Sequence, residues 1–189
     1  MANGFLTEAP ASRPGDSTSQ YSADFGIVQK FTCPGSGTIL ISRIGVWLQK
    51  NVDNINCKVA IFEHDSSNSC PSGMVANSES GEMTVNNTGV LDYYATYTTK
   101  PELTGGNQYW IGCIVDGSVG LGLYIDRIAT TGKVAGYGAC TYPNWPTDTG
   151  WHTMTAVTNR DYSLYAVYEE AASGLSIPVV QSIYRRRRI

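Results

Sequence analysis

Residues 103–116 read LTGGNQYWIGCIVD. Gly105, Gly106 and Asn107 supply a turn. The chain then runs with period two, Tyr109, Ile111, Cys113 and Val115 to one side and Trp110, Gly112 and Ile114 to the other. A strand with one face in water would carry polar residues at alternate positions. Here both faces are apolar, so the strand is expected in the middle of a sheet, packed on two sides.

The flanking segments read as further strands. Residues 27–33 read as the first strand, closed by Pro34, Gly35, Ser36 and Gly37. Thr38–Gln49 carries Ile39, Ile41, Val46 and Leu48, with a bulge expected at Gly45. In 55–63, Ile55, Cys57, Val59 and Ile61 alternate with Lys58, Ala60 and Phe62. Residues 64–81 are polar and broken, a long surface loop with one short strand expected at 74–76. Alternation resumes in 89–99, where Leu91, Tyr93, Ala95 and Tyr97 share a face. It recurs in 121–128, 151–157 and 162–169, the last placing Tyr162, Leu164, Ala166 and Tyr168 on one side. About eight strands and no amphipathic helix predict an all-β protein, an antiparallel jelly-roll-type β-sandwich.

The ends differ from this body. Residues 1–24 hold Pro10, Pro14 and Gly15 and show neither period, which predicts an N-terminal arm. Residues 171–189 lose the strand pattern at a Pro178-containing stretch and predict a basic C-terminal arm. The sandwich is expected over 25–170.

With 189 residues the chain is one domain with appendages, long enough for a core without staples. Charged residues make up only 15 %, and Gly and Tyr are abundant, at 20 and 12, as suits a turn-rich β-protein. Four of the 13 basic residues are Arg185, Arg186, Arg187 and Arg188, so the tail is basic and the body acidic. No signal peptide is expected, because Met1 to Phe5 lacks a basic region and no apolar run follows. No stretch approaches the roughly 18 apolar residues of a membrane helix. The five cysteines lack close metal-type spacing and are odd in number, so free thiols are expected, with a disulfide at Cys33 or Cys70 left open.

Three pieces carry a resemblance. They are Ile41-Ser42-Arg43-Ile44-Gly45-Val46-Trp47-Leu48, then Val59 to Phe62 running into a polar loop with Pro71, then Leu103 to Ile111. Together, over about residues 26–170, they resemble jelly-roll domains of phage virion proteins and of bacterial surface and carbohydrate-binding-like modules. The resemblance implies the fold, and a role in adhesion, display or particle building.

No residue set announces catalysis. His64 and His152 lie far apart, and no Gly-x-Ser-x-Gly elbow accompanies them. Asp92, Asp126, Glu63 and Asp161 could serve a glycosidase pair, but nothing in the spacing joins any two. Loop oxygens at 51–54 or 65–68 could hold calcium, yet neither matches a known loop spacing, and solvated turns are expected. Catalytic residues, cofactors and metals are therefore expected to be none.

Two clusters remain. Tyr137, Tyr142, Trp145 and Trp151 crowd a Gly/Pro-rich segment, where they could cap the open end of the core, fill a subunit contact or stack on a sugar. Ile177, Val179, Ile183 and Tyr184 flank the run Arg185, Arg186, Arg187 and Arg188, an apolar and basic set suited to docking on an acidic neighbour. The expectation is a non-enzymatic structural protein of a phage particle, a capsid decoration or tail-associated subunit made in the host cytoplasm. Its arms would hold it to other virion proteins, in a homo-oligomer such as a trimer. Nucleic acid and membrane are not expected partners. The alternative is a carbohydrate-binding or adhesion module using the aromatics of 137–151.

Overall fold

A computed structural model describes residues 3–15, 17–21, 25–50, 54–116 and 123–170. Among them the first strands are β1 (Gly4–Leu6), β2 (Ser17–Tyr21), β3 (Phe25–Thr32), β4 (Thr38–Gln49) and β5 (Ile55–Asp65). Next come β6 (Cys70–Met74), β7 (Met83–Val85), β8 (Leu91–Thr96), β9 (Glu102–Thr104) and β10 (Gln108–Val115). The described residues end with β11 (Leu123–Ala139), the short helix α1 (Asp148–Trp151), β12 (Thr155–Tyr162) and β13 (Leu164–Glu170).

The expected central strand, β10, lies between β3 and β5 and is antiparallel to both. Around it a larger sheet runs β12-β11-β3-β10-β5, with β6 and β7 on the far side of β5. A smaller sheet runs β1-β13-β4, with β8 and β9 on the far side of β4. The two join where Leu48 and Gln49 of β4 pair with Ile125 and Tyr124 of β11, a corner of two residue pairs. Successive elements β3, β4, β5, β8–β9 and β10 alternate between the sheets, the crossing habit of a jelly-roll-type sandwich. The main core fills the space between them: Ile27, Val59, Ile61, Ile111 and Cys113 from the larger sheet meet Ile41, Ile44, Val46, Leu164 and Ala166 from the smaller.

Thirteen strands among the described residues exceed the eight expected. The excess comes from short pieces beside long strands and from the leader. Gly4–Leu6 adds to β13 in parallel, and Ser17–Tyr21 pairs with β11. Segments without internal period can still supply backbone to a sheet edge, because ladder hydrogen bonds do not depend on side chains.

The bulge expected at Gly45 lies elsewhere. The β4–β13 register slips at Ser42, between Ile41↔Tyr168 and Arg43↔Val167. The slip turns the buried set from Ile39 and Ile41 to Ile44, Val46 and Leu48. Gly45 keeps its place in the ladder, and its missing side chain makes room for the Tyr165 ring, on which a Cβ would fall.

The polar stretch 64–81 is more ordered than a surface loop. Its strand is Cys70–Met74, not 74–76. Beyond it the chain follows β5, where Ser78 Oγ accepts from the Ile61 amide at 3.1 Å and Ser80 Oγ from the Val59 amide at 2.9 Å. Both serines are buried. Their hydroxyls stand in for a neighbouring strand and close an edge that would otherwise expose unpaired amides. Gln29, fully buried, does similar work at the seam of β11 and β12: its Nε2 donates to the Val134 carbonyl and its Oε1 accepts from the Tyr162 amide.

Candidate functional site

The outer face of the larger sheet is covered. Val28, Ala60, Phe62 and Trp110 point away from the main core and form a second, smaller one with Cys70 and Trp151. The cover is the segment 140–154, which carries α1. Thr147 caps this helix by accepting from the Gly150 amide, and Trp151 at its end turns down onto the sheet, 1 % exposed. Its ring meets Phe62 edge-on at 5.5 Å, and Trp145 meets the same phenyl at 5.0 Å. Gly112 of β10 lies beneath this contact. A Cβ there would come within 3.1 Å of Phe62 and Val28 and 3.3 Å of Trp145, so the glycine in the central strand makes space for the roof.

Two polar ties hold the roof to the serine-lined segment. Trp145 Nε1 donates to Glu79 Oε1 at 3.2 Å, and Tyr142 Oη donates to Glu82 Oε2 at 2.8 Å. Burial, and then the Glu82 carboxylate, push the Tyr142 phenol up. Glu79 also pairs with Lys58 at 2.9 Å.

The four aromatics of 137–151 therefore do not form one platform. Trp151 is core, Trp145 and Tyr142 are half-buried, and Tyr137 lies on β11, tilted against Phe25 at 5.8 Å and packed on the main core. One sequence reading had all four cap the open end of the core; Trp145 and Trp151 instead belong to the second core on the outer face. Trp145 and Trp151 close an outer face, because Phe62 and Trp110 leave that face too apolar for water.

Beside the roof lies a polar group that spacing along the chain could not reveal. β5 and β6 form a hairpin in which Asp65 and Cys70 stand opposite each other. His152, just past α1, brings its Nε2 to 3.6 Å from Asp65 Oδ2. Asp65 also ties its own turn, accepting from the amides of Ser67 and Asn68 and from Asn68 Nδ2, and these bonds hold its carboxyl below the usual range. Nearby, His64 Nδ1 accepts from Trp110 Nε1 at 3.0 Å. Burial first, then Lys30, lowers the pKa of His64 and favours the neutral ring that this acceptor role requires.

A second polar cluster lies on the smaller sheet. Arg43 pairs with Asp92, and its guanidinium lies 3.4 Å from the centre of the Tyr94 ring. Tyr165 donates to the same carboxylate at 2.7 Å. Burial raises the Asp92 pKa, against the hydrogen bond from Tyr165 and the charge of Arg43. Tyr94 is 48 % exposed, so the cluster sets an aromatic ring beside donors and acceptors at the surface.

Of the candidate carboxylates, Glu63, Asp92 and Asp161 lie on β5, β8 and β12, strands that do not pair with one another. The side chain of Asp126 lies outside the described residues. So does the C-terminal segment with Ile177, Val179, Ile183, Tyr184, Arg185, Arg186, Arg187 and Arg188. All five thiols are free, and among the described residues no helix is long and apolar enough to cross a membrane.

No protein-family model matches the chain, and no curated protein matches it either.

Proposed function

We propose that this chain is a non-enzymatic structural protein of a phage particle, a decoration or tail-associated subunit joined to its neighbours by terminal arms. The observation that carries the reading is the docking of Gly4–Leu6 along β13, with Gly4 opposite Tyr165, Phe5 opposite Ala166 and Leu6 opposite Val167. A terminal segment here acts as an added strand. Phe5 anchors it, meeting Tyr109 edge-on at 6.4 Å. Strand addition by an extended segment joins sheets through backbone hydrogen bonds without a large rigid interface. On the far side of the same sheet β8 pairs, among the described residues, with β4 alone, which leaves its other edge able to take a strand from a neighbour.

One observation favours a second reading, carbohydrate binding: Tyr94 is exposed beside Arg43 and Asp92, a grouping suited to sugar hydroxyls and C–H faces. The roof supports that reading less, since Trp151 offers no free face.

Light scattering of the full chain beside a version ending at Ala171 separates the two. A full chain that is a stable oligomer or binds particles, with a truncated form that does neither, supports assembly. Identical monomers that ignore particles overturn it. Weak glycan binding lost on Tyr94→Ala or Trp145→Ala then favours the second reading.

A further inference from the structure

We propose that Asp65, Cys70 and His152 bind a zinc ion that staples the roof to the β5–β6 hairpin. This inference does not depend on the assembly reading. The three groups come from two places, the hairpin and the end of α1, and their donor atoms all lie within 4.8 Å of one another. The donor set is a carboxylate oxygen, a thiol sulfur and an imidazole nitrogen. Zinc accepts all three, whereas calcium and magnesium take oxygen and leave a thiol unused.

The distances suit a tetrahedral ion. With bonds of about 2.0–2.2 Å to oxygen and nitrogen and about 2.3 Å to sulfur, neighbouring donors stand about 3.4–3.6 Å apart. The separation of Asp65 Oδ2 and His152 Nε2 is 3.6 Å, already such an edge and too long for a good hydrogen bond. With every donor pair within 4.8 Å, the thiol needs a side-chain movement of at most about 1 Å to close its part of the triangle.

The surroundings are those of a held ligand set. Asp65 Oδ1 accepts from Ser67 N at 2.8 Å and Asn68 N at 3.3 Å, and Oδ2 accepts from Asn68 Nδ2 at 2.6 Å. The carboxylate is thus oriented before an ion arrives, the role outer-shell donors play around metals. Trp151, packed on Phe62, fixes the backbone from which His152 projects. Cys70 is buried in the smaller core and stands opposite Asp65 in the hairpin, so the fold holds the sulfur beside the carboxylate. The side chains of Asp65 and His152 are 23 % and 39 % exposed, so the ion reaches the site from solvent and keeps a fourth position for water. On binding, the Cys70 thiol gives its proton to solvent and the thiolate takes the metal.

The test uses the reduced, metal-free full chain, titrated with cobalt(II) and then zinc. Expected are one cobalt per chain with a thiolate-to-cobalt charge-transfer band, displacement of that band by zinc, and a higher Tm with zinc. Cys70→Ala removes the band. His152→Ala, a change at a partly exposed side chain and safe for folding, weakens zinc by about 100-fold or more, beyond the range of outer-shell losses. Cys140→Ser keeps the site. Absence of the band in the unaltered chain, its survival in Cys70→Ala, or unchanged zinc affinity in His152→Ala overturns the proposal.

Discussion

Trp151→Ala removes the side chain on which the roof rests, and its cost follows from the structure. The indole is 1 % exposed and packs edge-on against Phe62. A buried tryptophan removes about 150–250 Å² from water, worth about 4–6 kcal/mol at 25 cal/mol per Å². One feature works against that gain: Nε1 is buried without a hydrogen-bond partner among the described residues. An orphaned donor costs about 1–3 kcal/mol, which alanine recovers. The net loss is then about 1–5 kcal/mol, centred near the lower end of the range for large aromatic-to-alanine changes in cores. Against a total stability of about 5–15 kcal/mol this is readily measured. Urea unfolding followed by far-ultraviolet circular dichroism reads it without relying on the deleted fluorophore. Trp151→Phe supplies the internal check, because it keeps a ring against Phe62 and deletes the orphaned N–H; its loss is below about 1 kcal/mol, within the range for tolerated apolar swaps. A loss under about 1 kcal/mol for alanine, well short of the core range, or a phenylalanine variant no better than alanine, refutes the roof.

Three further outcomes are expected. Ser78→Ala leaves the buried Ile61 amide without its acceptor and lowers stability by about 1–3 kcal/mol in the same urea assay, whereas a flexible surface loop would show almost nothing. For Asp92, burial raises the folded pKa above its ordinary 3.8, so between 3.8 and that higher value the native state binds the proton more tightly and stability falls as pH rises. The stability of the unaltered chain minus that of Asp92→Asn therefore decreases from about pH 3 to 7, and an increase would show that Arg43 and Tyr165 outweigh burial. A thiol reagent applied to the native chain should label Cys140 quickly and the other four slowly, since those are buried and the Cys33 thiol is pushed up to about 11; two rapid thiols per chain would contradict this packing.

The fold was readable where side chains alternate without interruption. β10 needed no tertiary knowledge, because apolar residues on both of its faces demand a covered central strand. β13 was readable from the alternation of Leu164, Ala166 and Tyr168, although Tyr162, read into the same strand, ends β12. Reading failed where backbone or a single hydroxyl carries the structure. Gly45 resembles a bulge, yet the register slips at Ser42, and the glycine answers instead to the Tyr165 ring from the neighbouring strand. Ser78 and Ser80 look like loop residues because they are polar and broken by Gly81. Their role appears only when the Val59 and Ile61 amides lie against them. The cap of α1 was within reach, since Thr147 followed by Asp148 is a helix-start signal, but four residues are too few to show a helical period.

The candidate site was the least readable part, for a reason rooted in topology. Asp65 and Cys70 are close in sequence, but only the hairpin register sets them opposite each other. His152 lies some eighty residues on and arrives because Trp151 must cover Phe62. The hydrophobic demand of one sheet face thus places a polar group that no spacing rule could foresee. The same demand explains why the aromatics of 137–151 divide as they do. The indole buried deepest is the one beside the histidine, so the residue that holds the roof down is also the one that completes the cluster. If that coupling is real, zinc should raise the Tm of Trp151→Phe but do little for Trp151→Ala, where the backbone carrying His152 has lost its anchor. Equal zinc responses in the two variants would separate the metal cluster from the roof.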